Sequence, residues 1–187
     1  MKRITILLAA SALLFGCSGD ITRETSADLQ ARTSSSFGSS VNQDLARLRQ
    51  VTAGFQTFQT GSDAGWSTQI TACMTDPGGA GGMGFHYGNT NFIDGTAQVD
   101  RPQLLLYEPE KNGRLRLVAV EYIIPYAFHP RSADPPVLFN QKFKQVDAFG
   151  LWGLHAWVWR ENPSGMFADW NPNVNCAHTT QTVSMSH

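Results

Sequence analysis

The sequence is short of most features that mark the commoner function classes. It has no cluster of basic residues: 14 Lys and Arg are scattered among 15 Asp and Glu, which excludes the electrostatic footprint of a nucleic-acid binder. It has no apolar run near the roughly 20 residues that a membrane-spanning helix needs. The most apolar stretch, residues 4–15, is broken by Thr5 and Ser11. No Gly-x-Ser-x-Gly elbow occurs, so the usual serine hydrolase signature is missing. The glycine-rich stretch Asp76-Pro77-Gly78-Gly79-Ala80-Gly81-Gly82 has no Lys or Ser where a phosphate-binding loop needs them, and no strand clearly precedes it. Its expected use is backbone geometry that side chains forbid. The three cysteines form no Cys-x-x-Cys pair, which argues against a locally built structural zinc site.

What is present begins at the N-terminus. Lys2 and Arg3 precede the apolar run 4–15, the layout of an export signal. The run ends in Leu14-Phe15-Gly16-Cys17, which resembles the lipobox of bacterial lipoproteins, where the cysteine thiol is acylated and the chain is cut just before it. Phe15 is a less usual residue in that pattern. The competing reading is an ordinary secretory signal with a chance cysteine. The expectation is a signal peptide over 1–16, a lipidated Cys17 and a flexible Ser/Thr-rich tether over 17–40. Residues 18–40 hold few large apolar groups to offset ordering entropy. Each buried acyl methylene contributes about 0.8 kcal/mol, so several chains hold a protein where one holds marginally. The lipid is then the only membrane contact. Ser18, rather than Asp, follows the cysteine, which favours the outer membrane in a Gram-negative host. The domain would face the periplasm or the cell surface.

In such an oxidising compartment Cys73 and Cys176 form an even pair, and a disulfide between them is expected; two buried thiols are the alternative. Residues 41–178 read as a single globular domain and 179–187 as a polar tail. Val41, Leu45, Leu48, Val51 and Phe55 recur at helical spacing, predicting a helix over 41–58 with Ser40 as its cap. Strands are expected over 83–87, 103–108, 115–124 and 151–159. Asn112-Gly113 is a strong hairpin signal, and a two-residue turn there pairs Tyr107 with Val118 and Leu104 with Glu121. The fold class is therefore α+β: one N-terminal helix packed on a mostly antiparallel sheet of about four strands, with closure into a barrel left open.

Three strands each carry one polar residue able to face inward. Glu121 sits in the apolar run 117–124, where alternation places Leu117, Ala119, Glu121 and Ile123 on one face and Val118, Val120, Tyr122 and Ile124 on the other. Both faces look buried, so the carboxylate needs a partner or a raised pKa. His155 has a similar setting and by alternation shares a face with Trp157 and Trp159. His86 follows directly on the glycine loop. Two imidazoles and a carboxylate suit zinc, copper or iron. They also suit acid–base catalysis, or a plain hydrogen-bond network in a domain with no small ligand. His129, in a proline-rich loop, is a further candidate ligand, whereas His178 and His187 read as solvated. The aromatics allow a second site, a stacking cleft with Tyr87, Trp157 and Trp159 as its candidates, against the simpler reading of an aromatic core. The partners implied are a membrane through the lipid and a small ligand or metal ion.

Gly81-Gly82-Met83-Gly84-Phe85-His86-Tyr87, Leu106-Tyr107-Glu108-Pro109, Val120-Glu121-Tyr122, Leu154-His155-Ala156-Trp157-Val158-Trp159, Asn162-Pro163-Ser164-Gly165-Met166-Phe167 and Trp170-Asn171-Pro172 together resemble an uncharacterised family of secreted bacterial proteins. The likeness covers most of residues 70–176. It implies a domain boundary and no particular reaction. Members carry extra histidines just before the Leu-His-x-Trp strand. Residues 146–152 here contain none, which implies a reduced ligand set if the family binds metal.

Overall fold

Helix α1, Ser26–Thr52, opens the part of the chain, residues 26–179, that the computed structural model describes. The expected signal peptide, Cys17, the start of the tether and most of the tail, with His187, lie outside these residues. Of the described residues, those up to Ser36 fall in one unit and those from Phe37 in another, and the sheet, the disulfide and the candidate site all lie in the second. In that unit the helical spacing holds: Leu45 and Leu48 are buried, with Val41 and Phe55 packed on the same core.

The helix starts 15 residues upstream of the expected position and stops earlier. Ala27, Leu29, Gln30, Ala31 and Arg32 are good helix formers, so the backbone runs helically through Ser40, which is an interior residue and not a cap. At the other end a 3-10 turn, Ala53–Phe55, and a short helix α2, Phe58–Asp63, replace the last turns.

Eight strands follow: β1 Thr68–Thr75, β2 Gly82–Gly88, β3 Leu104–Pro109, β4 Leu115–Pro125, β5 Val137–Leu138, β6 Gln141–Lys142, β7 Lys144–Val146 and β8 Leu151–Ala156. β5 and β6 form a small hairpin. The other six make one curled antiparallel sheet in the order β1-β2-β3-β4-β8-β7. The α+β class and the antiparallel pairing are as expected, but the sheet has six strands and not about four. The two unforeseen strands are its edges. β1 is built mostly of small and polar residues, with one short apolar stripe, Ile70, Ala72 and Met74, of which Ile70 and Ala72 stay exposed; β7 is only three residues long.

Because β1 exists, the glycine loop is the β1–β2 connection. Asp76 N–H donates to the Gly81 carbonyl at 2.8 Å, and Asp76 Oδ2 accepts from Ala80 N–H at 2.9 Å. Gly81 has φ +116°, and a Cβ there would fall 2.1 Å from the carbonyl oxygen of Asn171. The glycines thus serve backbone geometry, as expected. Gly81→Ala combines a disfavoured φ with a backbone clash and is expected to cost about 3 kcal/mol or more. Urea denaturation would measure this, and an unchanged midpoint would refute so close an approach.

The β3–β4 hairpin turns at Asn112-Gly113, but through three residues instead of two. Glu110 N–H donates to the Arg114 carbonyl, Gly113 N–H to the Glu110 carbonyl, and Gly113 sits at φ +79°. This is the three-residue loop ending in a left-handed glycine. Leu104 pairs with Glu121 as expected, whereas Tyr107 pairs with Leu117 and not Val118. The ladder absorbs the odd residue as a bulge at Val118. The bulge changes the faces N-terminal to it. Leu117 joins Val120, Tyr122 and Ile124 in the core under the helix, while Val118 joins Ala119 and Ile123 on the opposite side. Glu121 keeps its predicted face.

The sheet is covered on both sides. The larger core lies between sheet and helix; the smaller, around Leu104, Leu106, Ile123, Trp157 and Val174, lies beyond the other face. Half-buried Cys73 packs on the larger core, and its disulfide with Cys176 joins β1 to the closing segment across 103 residues. Among the described residues no helix is long and apolar enough to cross a membrane.

Candidate metal centre

His86, Glu121 and His155 come together, one each from β2, β4 and β8. Strand alternation places them. Their chain neighbours Phe85 and Tyr87, Val120 and Tyr122, Leu154 and Ala156 all sit in the helix-side core, which turns the three polar side chains to the far face. Glu121 and His155 are direct cross-strand partners. His86 pairs with Leu106 and reaches across β3 to the same point.

His86 Nε2 lies 3.6 Å from one Glu121 oxygen, and His155 Nε2 lies 3.8 Å from the other. One donor atom from each residue falls within 4.8 Å of the others. All three are buried, at 3%, 6% and 6% exposure. The two distances are beyond hydrogen-bond length, and His155 Nε2 has no hydrogen-bond partner at all. A buried orphan nitrogen costs free energy unless something fills its coordination.

Further residues support the trio. Thr71 of β1, the cross-strand partner of His86, places its hydroxyl 2.8 Å from His86 Nδ1. With the proton on Nδ1, the ring donates to that hydroxyl and leaves the Nε2 lone pair facing Glu121. Asp169 lies 3.9 Å from His155 Nδ1 and takes both oxygens to Lys144 Nζ at 2.9 Å. Gly153, beside His155 on the same face of β8, makes the room: a Cβ there would stand 2.9 Å from a Glu121 oxygen.

Burial dominates the electrostatics. It pushes His86 down to about 3, with the neighbouring His155 adding to the effect and hydrogen bonding to the Gly84 backbone opposing it. It pushes His155 down to about 3, with Lys144 adding to it. Glu121 is raised to about 8, first by burial and then by the charge of Asp169. Near neutral pH the trio is two neutral imidazoles and a carboxylic acid. Such a set binds a cation readily once the acid gives up one proton.

The site floors a cleft of about 300 Å³ whose walls include Ile70, Met74, Ile123, Val146, Phe149 and Leu151. The expected aromatic cleft does not form. Tyr87 packs against Phe58 and Tyr107 in the helix-side core. Trp159 packs on that same core and donates to Thr52 Oγ1. Trp157 belongs to the opposite layer, stacks on His155 and donates to the Ala168 carbonyl. β8 ends at Ala156, so the alternation that would put Trp159 beside Trp157 breaks off. His129 stays apart from the trio, its Nε2 on the Asp134 carbonyl at 2.7 Å.

The sequence reading missed Thr71, Gly153, Lys144 and Asp169. Thr71 and Lys144 sit on the two unannounced edge strands, and Asp169 is in an irregular segment. A glycine inside a strand pattern signals a close approach, so Gly153 could have been found. Compared with models of protein families, with curated proteins and with solved structures, the chain matches none.

Proposed function

We propose that this protein is an exported, membrane-anchored lipoprotein whose domain binds a transition-metal ion through His86, Glu121 and His155, with zinc, copper and iron as the candidate ions. The observation that carries the metal reading is the convergence of three buried donor atoms within 4.8 Å, one of them an orphan nitrogen. Tetrahedral zinc with bonds of about 2.0–2.1 Å sets its ligands about 3.4 Å apart, so side-chain closure of about 1 Å suffices. Two histidines and one carboxylate also suit iron, and leave positions open for exchangeable ligands. The lipobox-like Leu14-Phe15-Gly16-Cys17 and the disulfide support the exported location.

The full chain, purified without chelator, is expected to carry close to one metal ion per molecule by mass spectrometry. His86→Ala and His155→Ala should each weaken the metal by more than about 100-fold while circular dichroism shows the fold intact. Failure to load zinc, copper or iron would end the metal reading.

A second reading is favoured by the same geometry, a buried carboxyl group 3.6 and 3.8 Å from two imidazole nitrogens, with burial raising Glu121 and lowering both histidines. Such a pair can act as acid and base. It predicts an activity that survives chelation and is lost in Glu121→Gln.

A further inference from the structure

We infer that the open coordination position takes the carboxylate of a small organic acid, whose apolar body lies along the cleft walls. This rests on the metal reading of the site. Three protein ligands leave at least one position for an outside donor, and the trio lies at the floor of the cleft, so that donor arrives through it.

Charge selects the head group. The imidazoles are neutral, and Glu121 offsets one charge of a divalent ion, leaving a residual +1. Lys144, the cation on the cleft, is already matched by Asp169 through both oxygens. A single anionic oxygen donor therefore balances the floor. A phosphate brings more charge than the floor balances, and the side-chain donors among the largely apolar walls are few: Thr71, Trp170, Lys144, which is committed to Asp169, and Gln145, whose Nε2 already donates to the Arg131 carbonyl. A sugar, with many hydroxyls to satisfy, fits so apolar a cleft no better.

The walls select the body. Four large apolar side chains are exposed among the described residues, and two of them, Ile70 and Phe149, at 40% and 54% exposure, line this cleft from opposite edges of the sheet region. No core packing accounts for their exposure, and paired exposed apolar groups flanking a polar floor mark a ligand groove. At about 300 Å³ the cleft is at the low end of small-molecule sites, roughly 300–1,000 Å³. A compact aromatic or short aliphatic acid fits, and a long lipid does not.

The test uses the full chain loaded with cobalt(II), whose visible bands report changes in coordination. 3-Phenylpropionate is the probe, with 3-phenylpropanol and inorganic phosphate as comparisons. The acid is expected to shift the cobalt bands saturably, at least about tenfold more tightly than either comparison. Phe149→Ser and Ile70→Ser, both at exposed positions, are expected to keep cobalt and weaken the acid by about tenfold. Cobalt binding with no response to the acid, or with equal response to the alcohol or phosphate, overturns this inference and leaves the metal site standing. No cobalt binding in the unsubstituted chain overturns both.

Discussion

Reduction of the Cys73–Cys176 disulfide is expected to lower the unfolding free energy by about 3–5 kcal/mol and the melting temperature by about 10 °C. The bond closes a loop of 103 residues, and in the chain-entropy model so long a loop gives a large restriction of the unfolded state. It also holds a weak place. β1 is an edge strand whose pairing with β2 is interrupted by three register shifts, so its ladder is irregular. Calorimetry with and without reductant, and on the Cys73→Ser, Cys176→Ser double variant, measures the effect. A loss under about 1 kcal/mol would mean that the closing segment is held without the bond, by Asn175 N–H on Glu108, the Gly82–Asn171 bridge and buried Val174. Because β1 carries Thr71, Ile70 and Met74 of the cleft, reduction should weaken metal binding as well.

Metal affinity is expected to rise about 100-fold between pH 6 and pH 8 and then level off. Over that range the histidines are already neutral, since burial holds both at about 3. Glu121, raised to about 8, must lose one proton for each ion bound, which gives about tenfold per pH unit below 8. Competition with a zinc-binding dye at three pH values checks the slope, and a flat profile would show Glu121 to be ionised in the metal-free site. Stability of the metal-free domain follows from the same three groups. Glu121 binds its proton more tightly folded than unfolded, so its contribution is complete below about 4.5 and is lost as pH rises to about 8. The histidines act in the opposite sense: their contribution is complete above about 6.5 and is lost as pH falls towards 3. Between 4.5 and 6.5 two rising terms outweigh one falling term, and above 6.5 only the falling term remains. Thermal stability without metal should therefore peak near pH 6.5.

The site's three donors were legible because each lies in a strand whose flanking residues are strongly apolar, so alternation alone fixes which way His86, Glu121 and His155 point. The cross-strand pairing of Leu104 with Glu121 was legible from the turn. The pairing near the turn was not, because a three-residue loop and a bulge at Val118 cancel two residues later, and the two errors offset each other in any count from the tip. The early start of α1 was hidden by serines, which lower helix propensity without abolishing it. β1 was legible only in part: Ile70, Ala72 and Met74 alternate with Thr71, Cys73 and Thr75, but the stripe is short and Ile70 and Ala72 stay exposed, so little burial marks it. Trp159 was misplaced for a different reason, since alternation says nothing about where a strand stops.

β1 has a further consequence for how the molecule behaves in a crowded solution. Among the described strands it pairs with one neighbour, β2, and stands at one end of the sheet order. Open edges of this length are templates for another chain to add to, and proteins blunt them with bends, charges or covers. This edge carries no charged residue between Thr68 and Thr75, so its irregular register and the anchoring bond at Cys73 are what keep it from presenting a flat ladder. Freed of that bond, the strand is a better template, so the reduced protein is expected to self-associate at high concentration as well as to melt earlier, which light scattering across a concentration series checks.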